Sequence, residues 1–279
     1  ISVYSFWLFL NAIMDKIYWG TGQFVLGSLS GTVAVSIFSV AILLQQMYMS
    51  FSTSIAGVLL PRVTSMVASH KSDKDVSDLF IRTGRIQCIV LTFVLSGFIV
   101  FGQSFIDIWA GQGYQESFLI TLIFFVALFV PLIQNTGITI LQARNQMKFR
   151  STLYCGISII SLALQITLAK KFGAIGCAWA IGGALILGQV IIMNIYYKVK
   201  QHIAIGDFWK QIIRMLICPV AITSIAVYTF QFVNLTEIKW LIIGIVGFSV
   251  IYLPLFWIFS MNNYEHQLLS APLKKLLNR

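Results

Sequence analysis

Charged residues are scarce in this chain. They make up 10% of its 279 residues, against about 25% in ordinary soluble domains. This scarcity excludes a soluble enzyme. The low hydrophobicity that disorder requires is also missing, because 58% of the residues are hydrophobic and the mean hydropathy is +0.87. We therefore expect an all-α polytopic membrane protein.

Cysteine and histidine are too few and too scattered for metal or redox chemistry. The four cysteines have no CxxC spacing and lie in or beside apolar segments, so we interpret them as small buried side chains. The spacing of His202 and Asp207 matches a loose acyltransferase pattern, which we treat as chance. No P-loop, GxSxG or HExxH motif occurs. We expect no enzyme, no metal and no cofactor.

Long apolar runs are abundant. A spanning helix needs about 20 such residues, and barrel strands would be shorter and alternating. We predict about eight transmembrane helices, at 4–28, 34–60, 82–102, 118–141, 151–169, 174–197, 213–233 and 238–260.

Basic residues are concentrated in alternate connections. The net charge of +10 suits membrane flanks better than nucleic acid in so apolar a chain. Fifteen Lys and Arg residues lie in 61–85, 142–150, 198–214 and the tail, whereas the other connections hold Lys170, Lys171 and Lys239. The first set is therefore predicted to be cytoplasmic, and both ends of the chain with it. The start at Ile1 rather than Met suggests the latter part of a longer protein.

Polar residues interrupt the first predicted helix. Asn11, Asp15, Tyr18 and Gly22 are spaced for one face. Asp15 lies near mid-membrane, where a charge needs water or a partner. Lys16 is the only basic residue deep in a predicted span, and it projects about 100° away from Asp15, so the two are not expected to pair directly. A water-filled cavity and interhelical pairing both remain open.

Three further helices carry polar stripes. Each is typical of a polar cavity wall, although hydrogen bonding between helices explains each one equally well. The stripes are Ser39, Gln45, Gln46, Ser52 and Thr53; Asn135, Thr139 and Gln142; and Ser158, Ser161 and Gln165. A separate small-residue stripe, which we interpret as helix packing, consists of Gly176, Ala180, Ala184 and Gly188.

Several short motifs occur in an ordered series along the chain. They lie at 11–17 with 22–27, at 30–35 with 38–41, at 61–63, at Gly111 with Tyr114, and at 172–178. The first motifs resemble the seventh helix of polysaccharide flippases and the start of the next one, and Pro61 resembles the end of that eighth helix. The last motif is usually entirely Gly and Ala, and Cys177 departs from it. The chain thus resembles O-antigen/teichoic-acid-type flippases of the multidrug/oligosaccharidyl-lipid/polysaccharide flippase superfamily.

This resemblance implies two six-helix lobes followed by a further pair of helices. Residues 1–200 would be the six-helix C-terminal lobe, and residues 201–279 would be the two additional helices with a cytoplasmic tail. The N-terminal lobe of the same protein would then be missing from this chain. Transporters of this kind place their site near the midplane between repeats.

The implied function is to flip an undecaprenyl-diphosphate-linked oligosaccharide, the repeat unit of a lipopolysaccharide or capsule, across the bacterial cytoplasmic membrane. Its partners would be that lipid, the membrane lipids, the missing lobe and the polysaccharide polymerase machinery, with no nucleic acid. Lys16 would contact the diphosphate, and Asp15 would serve structure or couple transport to H+ or Na+. Amides would line the sugar path: Asn11, Gln23, Gln45, Gln46 and Asn135.

Other functions remain open. A multidrug/cation antiporter or a lipid II flippase of the same superfamily would share the fold, although Lys16 argues weakly against a cation carrier. A membrane-embedded glycan polymerase or acyltransferase would need clustered ionisable residues at one aqueous side, and the sequence has no such cluster. A purely structural scaffold would have little use for Asp15 and Lys16 in a span.

Overall fold

The fold is known from a computed structural model, which describes residues 2–69, 72–231, 233, 237–268 and 270. These residues form helices and no strand. The α-helices are α1 (Ser2–Leu29), α2 (Gly31–Ala68), α3 (Asp73–Trp109), α4 (Gln115–Ile133), α5 (Asn135–Ala143), α6 (Met147–Leu185), α7 (Met193–Val199), α8 (Ile205–Phe230) and α9 (Ile238–Ser260). A short 3-10 turn (Gln112–Tyr114) precedes α4, and a π-helical segment (Ile186–Ile192) joins α6 to α7.

Six apolar stretches of the described chain are long enough to cross a membrane. They confirm an all-α polytopic membrane protein. The stretches are Gly31–Ala68, Asp73–Trp109, Gln112–Ile133, Met147–Val199, Ile205–Phe230 and Ile238–Ser260. Helix α1 is not among them, but its 28 residues reach about 42 Å at 1.5 Å per residue, enough for one crossing.

The 53-residue stretch from Met147 to Val199 folds back on itself. Gly173 has φ 56° and ψ −137°, a conformation that only glycine adopts easily and that ends one helical arm and starts the next. The rings of Phe149 and Tyr196 stack with centroids 4.0 Å apart. The Cys177 thiol lies 3.5 Å from the Gln165 side-chain oxygen. Residues on either side of Gly173 therefore meet as in an antiparallel hairpin, as the two separate predicted spans require.

The predicted span 118–141 is wrong as a single continuous helix. Helix α4 ends at Ile133, and α5 begins at Asn135 after a break at Gln134. The break follows Pro131, whose ring removes a backbone donor and strains the preceding turn. Gln134 and Asn194 exchange two amide hydrogen bonds, of 2.9 and 3.1 Å. These bonds fasten the break to α7.

Several helices extend beyond the predicted spans. Helices α2 and α3 have 38 and 37 residues, or about 55 Å each, well over the roughly 30 Å hydrocarbon core. The basic residues of 61–85 therefore lie mostly on helical extensions rather than in a loop. Ser72 caps α3 through a capping box with Asp75. Lys71, Lys274, Lys275 and Arg279, which contributed to the predicted orientation, lie outside the described residues.

Helix α3 connects the two parts of the bundle. It packs against α2, α4 and α5 on one side and against α8 and α9 on the other. Helix α1 packs mainly against α6, and α2 packs against α4. This arrangement leaves the polar faces of α1, α2 and α6 close together at one side of the bundle.

Candidate functional site

Two polar cavities adjoin each other where α1, α2 and α6 meet. We call them the Arg150 cavity, of about 350 Å³, and the Lys16 cavity, of about 480 Å³. Asp15, Trp19, Met49 and Thr53 line both of them. The two cavities therefore share one wall, with a carboxylate in it.

The Arg150 cavity draws polar side chains from four elements. Asn11 comes from α1, Arg150 from the first arm of α6, Gln189 from the π-helical segment, and Asn135 from α5. The Arg150 guanidinium donates to the Asn11 side-chain oxygen. It also lies over the Tyr154 ring, 5.6 Å from the centroid. A cation is thus held at the cavity wall by an amide and an aromatic face.

Asp15 is half-buried, and its partner is a tyrosine. The Tyr154 hydroxyl donates to the Asp15 carboxylate at 2.9 Å. Within the described part of the chain, neither Asp15 nor Lys16 forms an ion pair. This agrees with the expectation that adjacent positions on a helix do not face each other.

The Lys16 cavity contains most of the predicted sugar-contacting amides. Gln23, Gln45 and Gln46 line it together with Lys16. The Gln23 amide donates to the Ser39 hydroxyl at 3.2 Å. Gln45 is 1% exposed, and its side-chain oxygen has no hydrogen-bond partner among the described residues. This cavity therefore contains a buried acceptor that lacks a donor.

The predicted site residues are thus divided between the two cavities. Asn11 and Asn135 line the Arg150 cavity, whereas Lys16 and the three glutamines line the Lys16 cavity. The Lys16 side chain is exposed, and its assignment to the diphosphate stays a prediction. Arg85 is the buried basic residue, and Arg150 is half-buried.

Other polar stripes serve contacts between helices. Ser158, Ser161 and Gln165 line neither cavity, so the cavity interpretation fails for this stripe. The Gln165 amide donates to Ser161 at 3.0 Å, and the Thr21 hydroxyl donates to Gln165 at 3.4 Å. The first bond lies within α6, and the second joins its first arm to α1. Polar groups in a membrane bundle often have this role.

The small-residue stripe of the second α6 arm is buried throughout, at Gly176, Ala180, Ala184 and Gly188. A Cβ atom on Gly176 would lie 2.3 Å from the Leu168 carbonyl oxygen. One on Gly188 would lie 2.6 Å from the Ile157 side chain. The two arms of the hairpin approach each other too closely here for larger residues.

Sequence reasoning missed Arg150, Tyr154 and Gln189. Arg150 was assigned to a cytoplasmic connection because it comes one residue before the predicted span 151–169. Its long side chain points into the bundle instead of outward. The signal was available in the spacing of Arg150 and Tyr154, four residues apart and hence on one helical face.

The fold and its cavities define a multi-pass membrane protein with a polar interior site. Residues 1–118 match the model of a family described as polysaccharide biosynthesis protein. Over this segment, which is less than half of the chain, the sequence is similar to polysaccharide biosynthesis proteins. No curated protein and no solved structure shows a significant match to the chain.

Proposed function

We propose that the protein flips a lipid-linked oligosaccharide, joined to undecaprenyl through a diphosphate, across the bacterial cytoplasmic membrane. The observation that carries this proposal is the pair of adjoining polar cavities inside an otherwise apolar bundle. The match of residues 1–118 to the polysaccharide biosynthesis family supports the same class of cargo.

The physical problem for such a protein is the head group of its cargo. A diphosphate and several sugar hydroxyls are very costly to place in hydrocarbon. Charged and amide side chains along a cavity offset that cost by hydrogen bonding to the head group while the isoprenoid chain stays in lipid. Lys16, Gln23, Gln45 and Gln46 would provide such contacts in one cavity, and Asn11 and Asn135 in the other.

Alternating access would move the head group between the two membrane faces. In transporters with repeated lobes, one lobe rocks against the other around a central site. The exposed side chains of Lys16 and Gln46 would face the partner lobe that the family resemblance implies. Asp15, in the wall between the cavities, would either position Tyr154 or couple transport to H+ or Na+.

The orientation follows from the basic residues, with Ser72 and Lys200 on the cytoplasmic side and Gln112 outside. All three positions are exposed. In a background without native cysteines, Cys at 112 should react with an impermeant thiol reagent in intact cells. Labelling of Cys at 72 or 200 instead would reverse this orientation.

Complementation of glycan export tests the function, with the complete gene product and with membrane protein levels measured in parallel. The complete protein should restore export. The Lys16→Arg variant should retain part of the export activity, whereas Lys16→Gln should lose most of it at normal protein abundance. The reason is that the positive charge of the side chain, rather than its length, is needed for the contact with the phosphate. Normal export by Lys16→Gln would remove Lys16 from the site. Failure of the complete protein to support export of any lipid-linked glycan would sink the proposed function.

A multidrug/cation antiporter is the second candidate, and the wall around Asp15 favours it. A carboxylate beside Trp19 and Tyr154 is a suitable site for an organic cation. Drug-resistance assays distinguish the two functions. An antiporter would lower sensitivity to cationic dyes in an Asp15-dependent way and leave glycan export unchanged.

A further inference from the structure

Three residues that line the Arg150 cavity each carry an unpartnered buried polar atom, and all three atoms are nitrogen donors. They are Asn11 Nδ2, Arg150 Nε and Gln189 Nε2, each buried and without a hydrogen-bond partner among the described residues. They come from three separate elements, α1, α6 and the π-helical segment. Buried polar groups are nearly always paired in proteins, so three unsatisfied donors around one cavity require an explanation.

Two of these donors have well-defined surroundings. The Asn11 side-chain oxygen accepts from Arg150, which fixes its amide nitrogen as the group left over. Gln189 is 8% exposed and lines the same cavity. An unpaired buried donor typically costs about 1–3 kcal/mol. A group rich in acceptors at the cavity would supply the partners that these donors lack.

The chemistry of the complementary group follows from the donors. A group that offers only acceptor oxygens and carries negative charge matches two amide N–H donors and a guanidinium. Phosphate and diphosphate oxygens fit this description, whereas sugar hydroxyls also donate. In the neighbouring Lys16 cavity the buried unpartnered atom is an acceptor, Gln45 Oε1. That cavity suits donors such as hydroxyl groups.

The charges around the Arg150 cavity also affect where an anionic group could bind. Asp15 in the shared wall repels an anion, and the Tyr154 hydroxyl donates to it. Arg150 adds the positive charge, over the Tyr154 ring and 5.6 Å from its centroid. An anion is therefore expected beside Arg150 and Gln189, away from Asp15.

We propose that Asn11, Arg150 and Gln189 form a phosphate-binding subsite, and that the Lys16 cavity takes the sugar hydroxyls. This assignment rests on the proposed function for the identity of its ligand, the diphosphate of the lipid. It adds Arg150 to Lys16 as a second contact for the diphosphate and assigns the sugar hydroxyls to the glutamines of the Lys16 cavity.

Calorimetric binding of inorganic pyrophosphate to the purified complete protein tests the subsite. The wild-type protein should bind it, and Arg150→Gln should weaken binding about tenfold or more, as expected for a lost charge-assisted hydrogen bond. The matched control is Arg82→Gln. It also removes one positive charge and one arginine–tyrosine contact, because Arg82 lies 5.0 Å from the Tyr264 ring centroid, outside both cavities. The Arg82→Gln variant should bind pyrophosphate with the same affinity as the wild-type protein.

A second pair of variants keeps the test valid if Arg150→Gln does not fold. Gln189→Glu replaces an amide donor by a carboxylate of nearly the same shape and should abolish pyrophosphate binding. Gln45→Glu, the same change in the Lys16 cavity, should have a much smaller effect. Equal effects of the two Glu variants, or no binding of pyrophosphate to the wild-type protein, would overturn the subsite.

Competition with geranyl diphosphate identifies the source of the phosphate. This short lipid diphosphate should displace pyrophosphate if the subsite takes a lipid head group. Without displacement, the site would bind free phosphate only and the assignment to the lipid would be wrong. The subsite and the proposed function can fail separately. A wild-type protein that binds pyrophosphate but supports no glycan export would refute transport and leave the phosphate-binding subsite intact.

Discussion

Two arginines in this molecule, the buried Arg85 and the half-buried Arg150, have opposite surroundings. Arg85, on α3, donates to both oxygens of Glu265 and to the backbone carbonyls of Ser260 and Gln211. Arg150, on α6, donates to Asn11 and keeps its Nε atom unpartnered beside a cavity. All three guanidinium nitrogens of Arg85 have partners within the protein, whereas Nε of Arg150 has none.

This difference indicates a structural role for Arg85 and a binding role for Arg150. The Arg85–Glu265 pair joins α3 to the segment that follows α9, and the Glu265 side chain is 1% exposed. Asn262 and Glu265 also cap each other's backbone N–H groups. Each guanidinium nitrogen of Arg85 is thus engaged within the protein. In this protein, therefore, the partners of each arginine separate the two more clearly than burial does.

The largest expected effect is on the Arg85–Glu265 pair. Glu265→Gln should lower the free energy of unfolding by about 3–5 kcal/mol, because it leaves the Arg85 charge buried without a counter-ion. The control is Asp73→Asn, which breaks the exposed Arg144–Asp73 pair and should cost about 0–1 kcal/mol. Thermal unfolding in detergent measures both. The double variant Arg85→Gln with Glu265→Gln should recover much of the loss, and equal stability of Glu265→Gln and Asp73→Asn would contradict the structural role.

A middle-sized effect is expected in the hairpin that carries Arg150. Gly176→Ala should destabilise the protein by about 1–3 kcal/mol, since its Cβ would meet the Leu168 carbonyl oxygen at 2.3 Å. Gly183→Ala is the matched control on the same arm, where a Cβ meets nothing within 4 Å. The unfolding temperatures of the two variants are compared in one detergent. A Gly176→Ala variant as stable as Gly183→Ala would show that the two arms are not packed closely.

The smallest effect concerns the attachment of α8. The Thr223 hydroxyl lies 2.8 Å from the Ser96 hydroxyl and 2.7 Å from the Pro219 carbonyl, so it joins α8 to α3 as well as bonding its own helix. Thr223→Val should cost about 0.6 kcal/mol, the average for hydrogen bonds between membrane helices. Thr229→Val removes an exposed hydroxyl bonded to its own helix and should cost less. Equal unfolding midpoints for both variants would mean that the bond to Ser96 contributes nothing measurable.

Composition and hydropathy were enough to predict the membrane class and the helices. Long apolar runs without alternation predict spanning helices, because a helix satisfies its backbone hydrogen bonds within one segment and barrel strands are shorter and alternate in polarity. The separate predicted spans 151–169 and 174–197 match the two arms of the hairpin. The spacing of Asn11 and Asp15 likewise predicted a shared face, because the helical period is fixed by backbone geometry. Assignment of site residues to functions stays a prediction.

The tertiary structure decided which polar residues share a cavity. Gln165 and Gln45 are both glutamines on apolar helices, yet Gln165 bonds between helices and Gln45 faces a cavity with an unpartnered oxygen. Arg150 and Gln189 lie 39 positions apart in the sequence and meet because the chain reverses at Gly173. Hydropathy and periodicity can be read from a single segment of the sequence. The hydrogen-bond partners of a polar side chain depend instead on which other segments the fold places beside it.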